Sequence, residues 1–151
     1  MIILGIDPGF ERMGCAILKK NGKRNDLIYS VCLKTDKNLS FEKRLLSLGK
    51  SLEKIIKNYK PDIISLEKVF FFKNQKTASR ISEVRGMILY LAAKNKIEVR
   101  EYTPLQVKMN LTGYGRAEKF QVQKMVEIIL KNNKIPKQDD EADAIAIALC
   151  A

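Results

Sequence analysis

The fold turns on residues 1–34, MIILGIDPGFERMGCAILKKNGKRNDLIYSVCLK. Residues 2–7 are apolar on both alternating faces until Asp7 and Pro8-Gly9 intervene, the pattern of a strand covered on both sides and ended by a turn. Residues 13–20 read as a second strand, and Asn21-Gly22 is a tight-turn signal leading into a third at 26–34. Three strands joined by short turns are then followed by helix–strand alternation. Phe41, Leu45, Leu48, Leu52, Ile55 and Ile56 recur at helical spacing, predicting an amphipathic helix over 41–58 that Pro61-Asp62 breaks. A short buried strand over 63–67, the aromatic run Phe70-Phe71-Phe72, a helix over 75–94 and a strand over 97–101 come next. Thr103-Pro104-Leu105-Gln106 has the capping-box pattern of a helix start, and Gly113 and Gly115 mark a loop. Val122, Met125, Val126, Ile129 and Leu130 define the inner face of a helix over 117–131, and a last helix spans 139–149. The layout is α/β: a five-stranded mixed sheet flanked by helices, expected as a single domain over 1–151.

Composition narrows the chemistry. The 151 residues carry 28 Lys+Arg against 17 Asp+Glu, a formal net charge of +11, and no histidine. A Ser-His-Asp triad, a His-ligated zinc and a His general base are excluded. Hydrolytic work would fall to carboxylates, lysines, hydroxyls or a metal held by oxygen. The charge excess points to a polyanionic partner. Cys15, Cys32 and Cys150 lack any C-x-x-C spacing and suit buried thiols in a reducing cytosol. The N-terminus lacks a basic region followed by an adequate apolar run, so no signal peptide is expected, and residues 144–151 are too short an apolar stretch to span a bilayer.

Asp7 ends the first strand and Glu67 ends the fourth, each on a register continuous with a buried face. If the two strands are neighbours, both carboxylates emerge at one edge of the sheet, where α/β proteins place their sites. Asp140 and Asp143 are spaced i, i+3 and share a helix face that continues through Ala144 and Ile147 into apolar sequence. They therefore top an inward stripe, whereas Asp139 and Glu141 are explained by the helix dipole. Acids gathered in one cleft repel each other unless cations neutralise them. All-oxygen ligation suits Mg²⁺ or Mn²⁺. In a protein built for a polyanion, such a cluster suggests two-metal phosphodiester hydrolysis with ions ~4 Å apart. Lys119 sits near a helix N-terminus, against the dipole, a conflict that a nearby phosphate would remove.

Read together, Gly5-Ile6-Asp7-Pro8-Gly9, the segment from Glu67 through Val69-Phe70 to Lys73-Asn74, Arg85-Gly86, Val107-Lys108, Gly115-Arg116-Ala117-Glu118-Lys119 and Asp140-Glu141-Ala142-Asp143-Ala144 make the sequence recognisable. It resembles the RuvC Holliday-junction resolvases of the ribonuclease H-like superfamily over essentially its whole length. The resemblance implies a ribonuclease H-like fold and catalytic, metal-holding acids at Asp7, Glu67, Asp140 and Asp143, with two Mg²⁺ per site and Mn²⁺ as a substitute. It implies that Lys108 and Lys119 support cleavage near the scissile phosphate and that Phe70 stacks on a base at the junction centre. Lys73 and Arg116 are expected backbone contacts. The implied assembly is a cytoplasmic homodimer that nicks four-way junction DNA symmetrically in recombination and repair, with branch-migration motor proteins as further partners. Lys68 departs from a position where Gln is frequent, Glu83 charges a helix used near the family's dimer interface, and Ala151 ends the chain where many relatives carry a basic tail. Two alternatives stand beside this reading: a nuclease of the same superfamily acting on structured RNA, and a non-catalytic junction-binding module.

Overall fold

The computed structural model describes residues 1–68, 75–131 and 139–151, with only the backbone described at Gln75 and Lys76. The opening segment forms β1 (Ile2–Asp7), β2 (Arg12–Asn21) and β3 (Arg24–Lys34), an antiparallel meander. Asn21 pairs with Arg24, so the hairpin loop is Gly22-Lys23 and β3 starts two residues earlier than the turn dipeptide suggested. Gly22 has φ +58, and a positive φ at the first of two loop positions is what a type II′ hairpin needs.

After α1 (Phe41–Tyr59), β4 (Ile63–Glu67) lies parallel to β1. Helix α2 (Gln75–Lys94) then returns the chain to β5 (Glu98–Tyr102), parallel to β4. The sheet order is β3-β2-β1-β4-β5, five strands of mixed direction as expected. β5 begins one residue later than the apolar pattern implied, because the Ile97 N–H donates to the Ala92 carbonyl and closes the end of α2. The chain continues into α3 (Pro104–Thr112), α4 (Lys119–Leu130) and α5 (Asp139–Ala148). The expected capping box is present: the Gln106 N–H donates to Thr103 Oγ1 at 3.1 Å, and the Thr103 N–H to Gln106 Oε1 at 2.9 Å. Helix α4 starts at Lys119 rather than Ala117. The Ala117 N–H is spent on the Tyr114 carbonyl, and the Glu118 N–H on Gln121 Oε1 at 2.7 Å.

Alternation along the strands feeds two apolar layers. Leu4, Ile6, Met13, Cys15, Ile17, Ile64 and Leu66 pack against Leu48, Leu52, Ile55 and Ile56 of α1 and Val84, Ile88 and Leu91 of α2. Ile3, Ala16, Leu18 and Ile63 pack on the other face against α3, α4 and α5. Among the described residues no helix is long and apolar enough to cross a membrane.

Helix α5 rests unusually close to β1 and β2, and glycine is the reason. A Cβ on Gly5 would lie 2.2 Å from the Ala144 carbonyl oxygen, and one on Gly14 1.9 Å from the Asp140 carbonyl oxygen. Ser65, fully buried, donates its hydroxyl to the Ile147 carbonyl at 2.6 Å and ties the same helix to β4. The inward stripe expected through Ala144 and Ile147 is present, and Ala142, Ile145, Ala146 and Ala148 are buried as well.

Candidate active site

β1 and β4 are hydrogen-bonded neighbours, so Asp7 and Glu67 leave the sheet at the same carboxyl edge. Both belong to the face covered by α5, since Ile3 and Ile63 of the same alternation lie in that layer. The close seat of α5 on Gly5 and Gly14 carries Asp140 and Asp143 to this edge, and Gly14 is the antiparallel partner of Asp7. Burial, followed by the charges of Glu67, Asp143 and Asp140, pushes the Asp7 carboxyl from its ordinary 3.8 up to about 7, against the pull of Lys119. Burial and then Asp143 also raise Glu67, opposed by Arg85 and Lys119. Asp7 thus lies in the field of the other three sequence-predicted acids, and Glu67 in that of Asp143.

Internal cations already hold Asp140 and Asp143 of α5. Lys119 Nζ lies 2.9 Å from Asp143 Oδ2 and 3.6 Å from Asp139 Oδ2. Burial draws the Lys119 ammonium down, but the hydrogen bond and charge of Asp143, joined by Asp139, outweigh it and leave the group above its ordinary value. Arg12 Nε lies 3.0 Å from Asp140 Oδ2. With these pairings in place, no three acidic or thiol side chains among the described residues form a ready-made cation cage. The donor set still fits a hard divalent cation: it is all carboxylate oxygen, and its most buried member is destabilised by the others' charge.

Glu67, Asp143, Lys108 and Lys119 line one cleft of about 300 Å³, whose floor is Val107, Val122, Ala146 and Ile147. Lys108 reaches it from α3 and Lys119 from the first turn of α4. Arg116 is exposed in the turn before α4 and is not part of the lining. Phe70 and Lys73, with Phe71 and Phe72, lie outside the described residues. A larger concavity, about 700 Å³, sits at the opposite end of the sheet beside Pro61 and Ile97, and Glu53 is the one acid in its lining.

Several residues take a supporting role that the sequence pattern does not assign to them. Arg85 of α2 donates to the Glu67 carbonyl and to the Glu101 carboxylate, pinning the end of β4. Arg44, buried in α1, donates to Thr35 Oγ1 at 2.8 Å and stacks on the Phe10 ring at 5.0 Å, with Arg80 on the same ring at 5.3 Å. Together they brace the turn that follows Asp7. Glu141, which helix-dipole reasoning explained, also accepts from Ser30 Oγ at 2.6 Å. Glycine within a strand pattern could have announced Gly14 as a point of close backbone approach. The arginines carry no local signal, because their partners are distant in sequence.

A five-stranded mixed sheet whose central parallel pair ends in carboxylates, crossed by a helix bearing two more, defines a ribonuclease H-like fold of the junction-resolvase type. The family of the crossover junction endodeoxyribonuclease RuvC matches residues 3–151, and the chain belongs to it. It is 49% identical over 150 residues to the crossover junction endodeoxyribonuclease RuvC of Ruminiclostridium cellulolyticum, covering 99% of this chain and 90% of that protein. The RuvC of Petrotoga mobilis is 47% identical over 150 residues, covering 99% and 92%. Among solved structures, Thermus thermophilus RuvC in complex with a Holliday junction substrate superposes with a TM-score of 0.93 at 29% identity, covering 99% of this chain and 92% of that one.

Proposed function

We propose that this chain resolves four-way DNA junctions by phosphodiester hydrolysis, as a cytoplasmic homodimer that cuts two strands symmetrically in recombination and repair. The observation that carries this reading is the meeting of Glu67, Asp143, Lys108 and Lys119 in one cleft, beside a half-buried Asp7 whose proton affinity its partial burial and those acids raise, in a chain of the RuvC family. Asp7, Glu67, Asp140 and Asp143 are the residues that would hold Mg²⁺, or Mn²⁺ in its place, two ions per site. Bound there, the metal would supply a water of lowered pKa and charge neutralisation at the leaving oxygen.

The chain's own groups do the rest. Asp7 and Glu67 are fixed by the paired β1 and β4, so they define where the scissile phosphate must approach. Lys119 exchanges its pairing with Asp143 for the phosphate and, with Lys108 of the same cleft, draws the backbone in and stabilises charge on it. Arg116 and Lys73 are assigned to neighbouring phosphates, which orient the DNA without reading its sequence. Phe70 is assigned to stack on an unpaired base at the crossover, worth ~1–3 kcal/mol. The whole of residues 1–151 acts as one nuclease domain, and a branch-migration motor is a natural partner.

The test is incubation of a mobile synthetic four-way junction with the protein and Mg²⁺, with nicks mapped on every strand and a structured RNA run in parallel. Paired nicks at symmetric positions in the DNA are expected. Scattered nicks, cleavage of the RNA in preference, or binding without cleavage in either Mg²⁺ or Mn²⁺ would overturn the proposal.

A further inference from the structure

The proposed metal-holding acids account for Asp140, but not for what Asp140 touches. Its Oδ2 receives Arg12 Nε at 3.0 Å and the Cys32 thiol at 3.5 Å. Both groups come from the β2–β3 side, and Ser30 of β3 takes the next side chain of α5, Glu141, at 2.6 Å. Arg12 stands next to Met13, fully buried in the layer on the other side of the sheet, and so belongs to the α5 side by alternation. The side chain of Asp140 is 24% exposed and that of Arg12 51% exposed, so the pair sits at the rim of the site. An ordinary surface ion pair would add ~0–1 kcal/mol of stability and have no further consequence. This one lies on a carboxylate whose charge raises Asp7. Among the described residues it has a counterpart in the pair of Lys119 with Asp143.

We infer that Arg12 is an internal counter-ion that competes with the divalent cation for Asp140, holding the cation-free site together and setting how much metal is needed to fill it. The inference rests on the assignment of Asp140 as a metal-holding acid. Two physical effects point the same way. The Arg12–Asp140 contact must loosen or share its oxygen when a cation arrives, and a guanidinium within a few ångströms of a doubly charged ion repels it. Against them stands the loss of a fixed carboxylate orientation, two side-chain torsions that the Cys32 thiol on the same oxygen still restrains. Removing the Arg12 charge should therefore tighten cation binding about 3- to 10-fold in the absence of DNA, the scale expected for close charges in a half-exposed site. Arg12 is in this sense a positioning residue: it acts through Asp140.

The experiment is a Mn²⁺ titration of the full chain without DNA, read by the electron paramagnetic resonance of free Mn²⁺, for wild type, Arg12→Gln, Arg12→Lys and Asp140→Asn. Tighter binding by Arg12→Gln, near-wild-type binding by Arg12→Lys and weaker binding by Asp140→Asn are expected. If Arg12→Gln binds as wild type does, or more weakly, while Asp140→Asn is weakened, the counter-ion role is overturned and the ligand assignment stands. If Asp140→Asn binds as wild type does, the ligand assignment fails and takes the inference with it. Arg12→Met, uncharged and of comparable length, repeats the measurement should the glutamine variant not fold.

Discussion

With its carboxyl pushed up to about 7 by burial and by Glu67, Asp143 and Asp140, Asp7 works against the fold once it ionises without a cation. The unfolded chain releases this proton near 3.8 and the folded chain only near 7, so between these values the folded state binds more protons and stability falls as pH rises. Below 3.8 the penalty is absent, and above 7 it is complete. At about 1.4 kcal/mol per pKa unit it amounts to ~4 kcal/mol. Asp7→Asn should therefore raise the melting temperature of the chelator-treated protein markedly at pH 8 and little at pH 4. Equal gains at both pH values in a thermal melt would contradict this. The same substitution should abolish junction cleavage while leaving junction binding intact in an electrophoretic shift assay. At Lys119, substitution by Ala frees Asp143 and removes the ammonium from the cleft. We expect cleavage at saturating Mg²⁺ to fall by ~10²-fold, the scale of losing one charge-stabilising group, measured in single-turnover assays.

Elements matter here through how closely they pack. Helix α5 can place two aspartates over the sheet edge only because β1 and β2 present glycine where its backbone lands. A Gly14→Ala methyl would fall 1.9 Å from the Asp140 carbonyl oxygen and force the helix outward. Overpacking of this kind costs ~1–3 kcal/mol, and here it also shifts Asp140 and Asp143. Denaturant unfolding should report the stability loss, and nick mapping should report a loss of cleavage larger than unfolding explains. Ser65→Ala offers the contrast. It removes the 2.6 Å bond to the Ile147 carbonyl, but the Cys150 N–H still reaches that oxygen at 3.2 Å. Its cost should stay at ~1 kcal/mol, with cleavage retained in the folded fraction.

At the scale of the whole molecule, the net charge of +11 and the cleft lysines make association with a polyanion an electrostatic event. The logarithm of the junction-binding constant should fall linearly with the logarithm of salt concentration, with a slope of ~0.9 per phosphate neutralised. A binding constant unchanged between 50 and 200 mM salt, measured by fluorescence anisotropy, would set this aside. Much of the architecture was legible beforehand, because alternation in residues 2–7 and 63–67 and the helical spacing from Phe41 to Ile56 are local consequences of which faces must be dry. Boundaries such as the start of α4 were less legible, being set by which carbonyl an individual N–H finds. The identities of the acids, their strand-end and i, i+3 placement and the absence of histidine are properties of the chain itself, and they restricted the chemistry to oxygen-held cations. Only the tertiary structure decided that Arg12 and Cys32 share one oxygen of Asp140, that Lys119 holds Asp143, and that Arg85 pins the end of β4. Those contacts join residues far apart in sequence, and nothing in a local pattern encodes a meeting that depends on where a helix lands on a sheet.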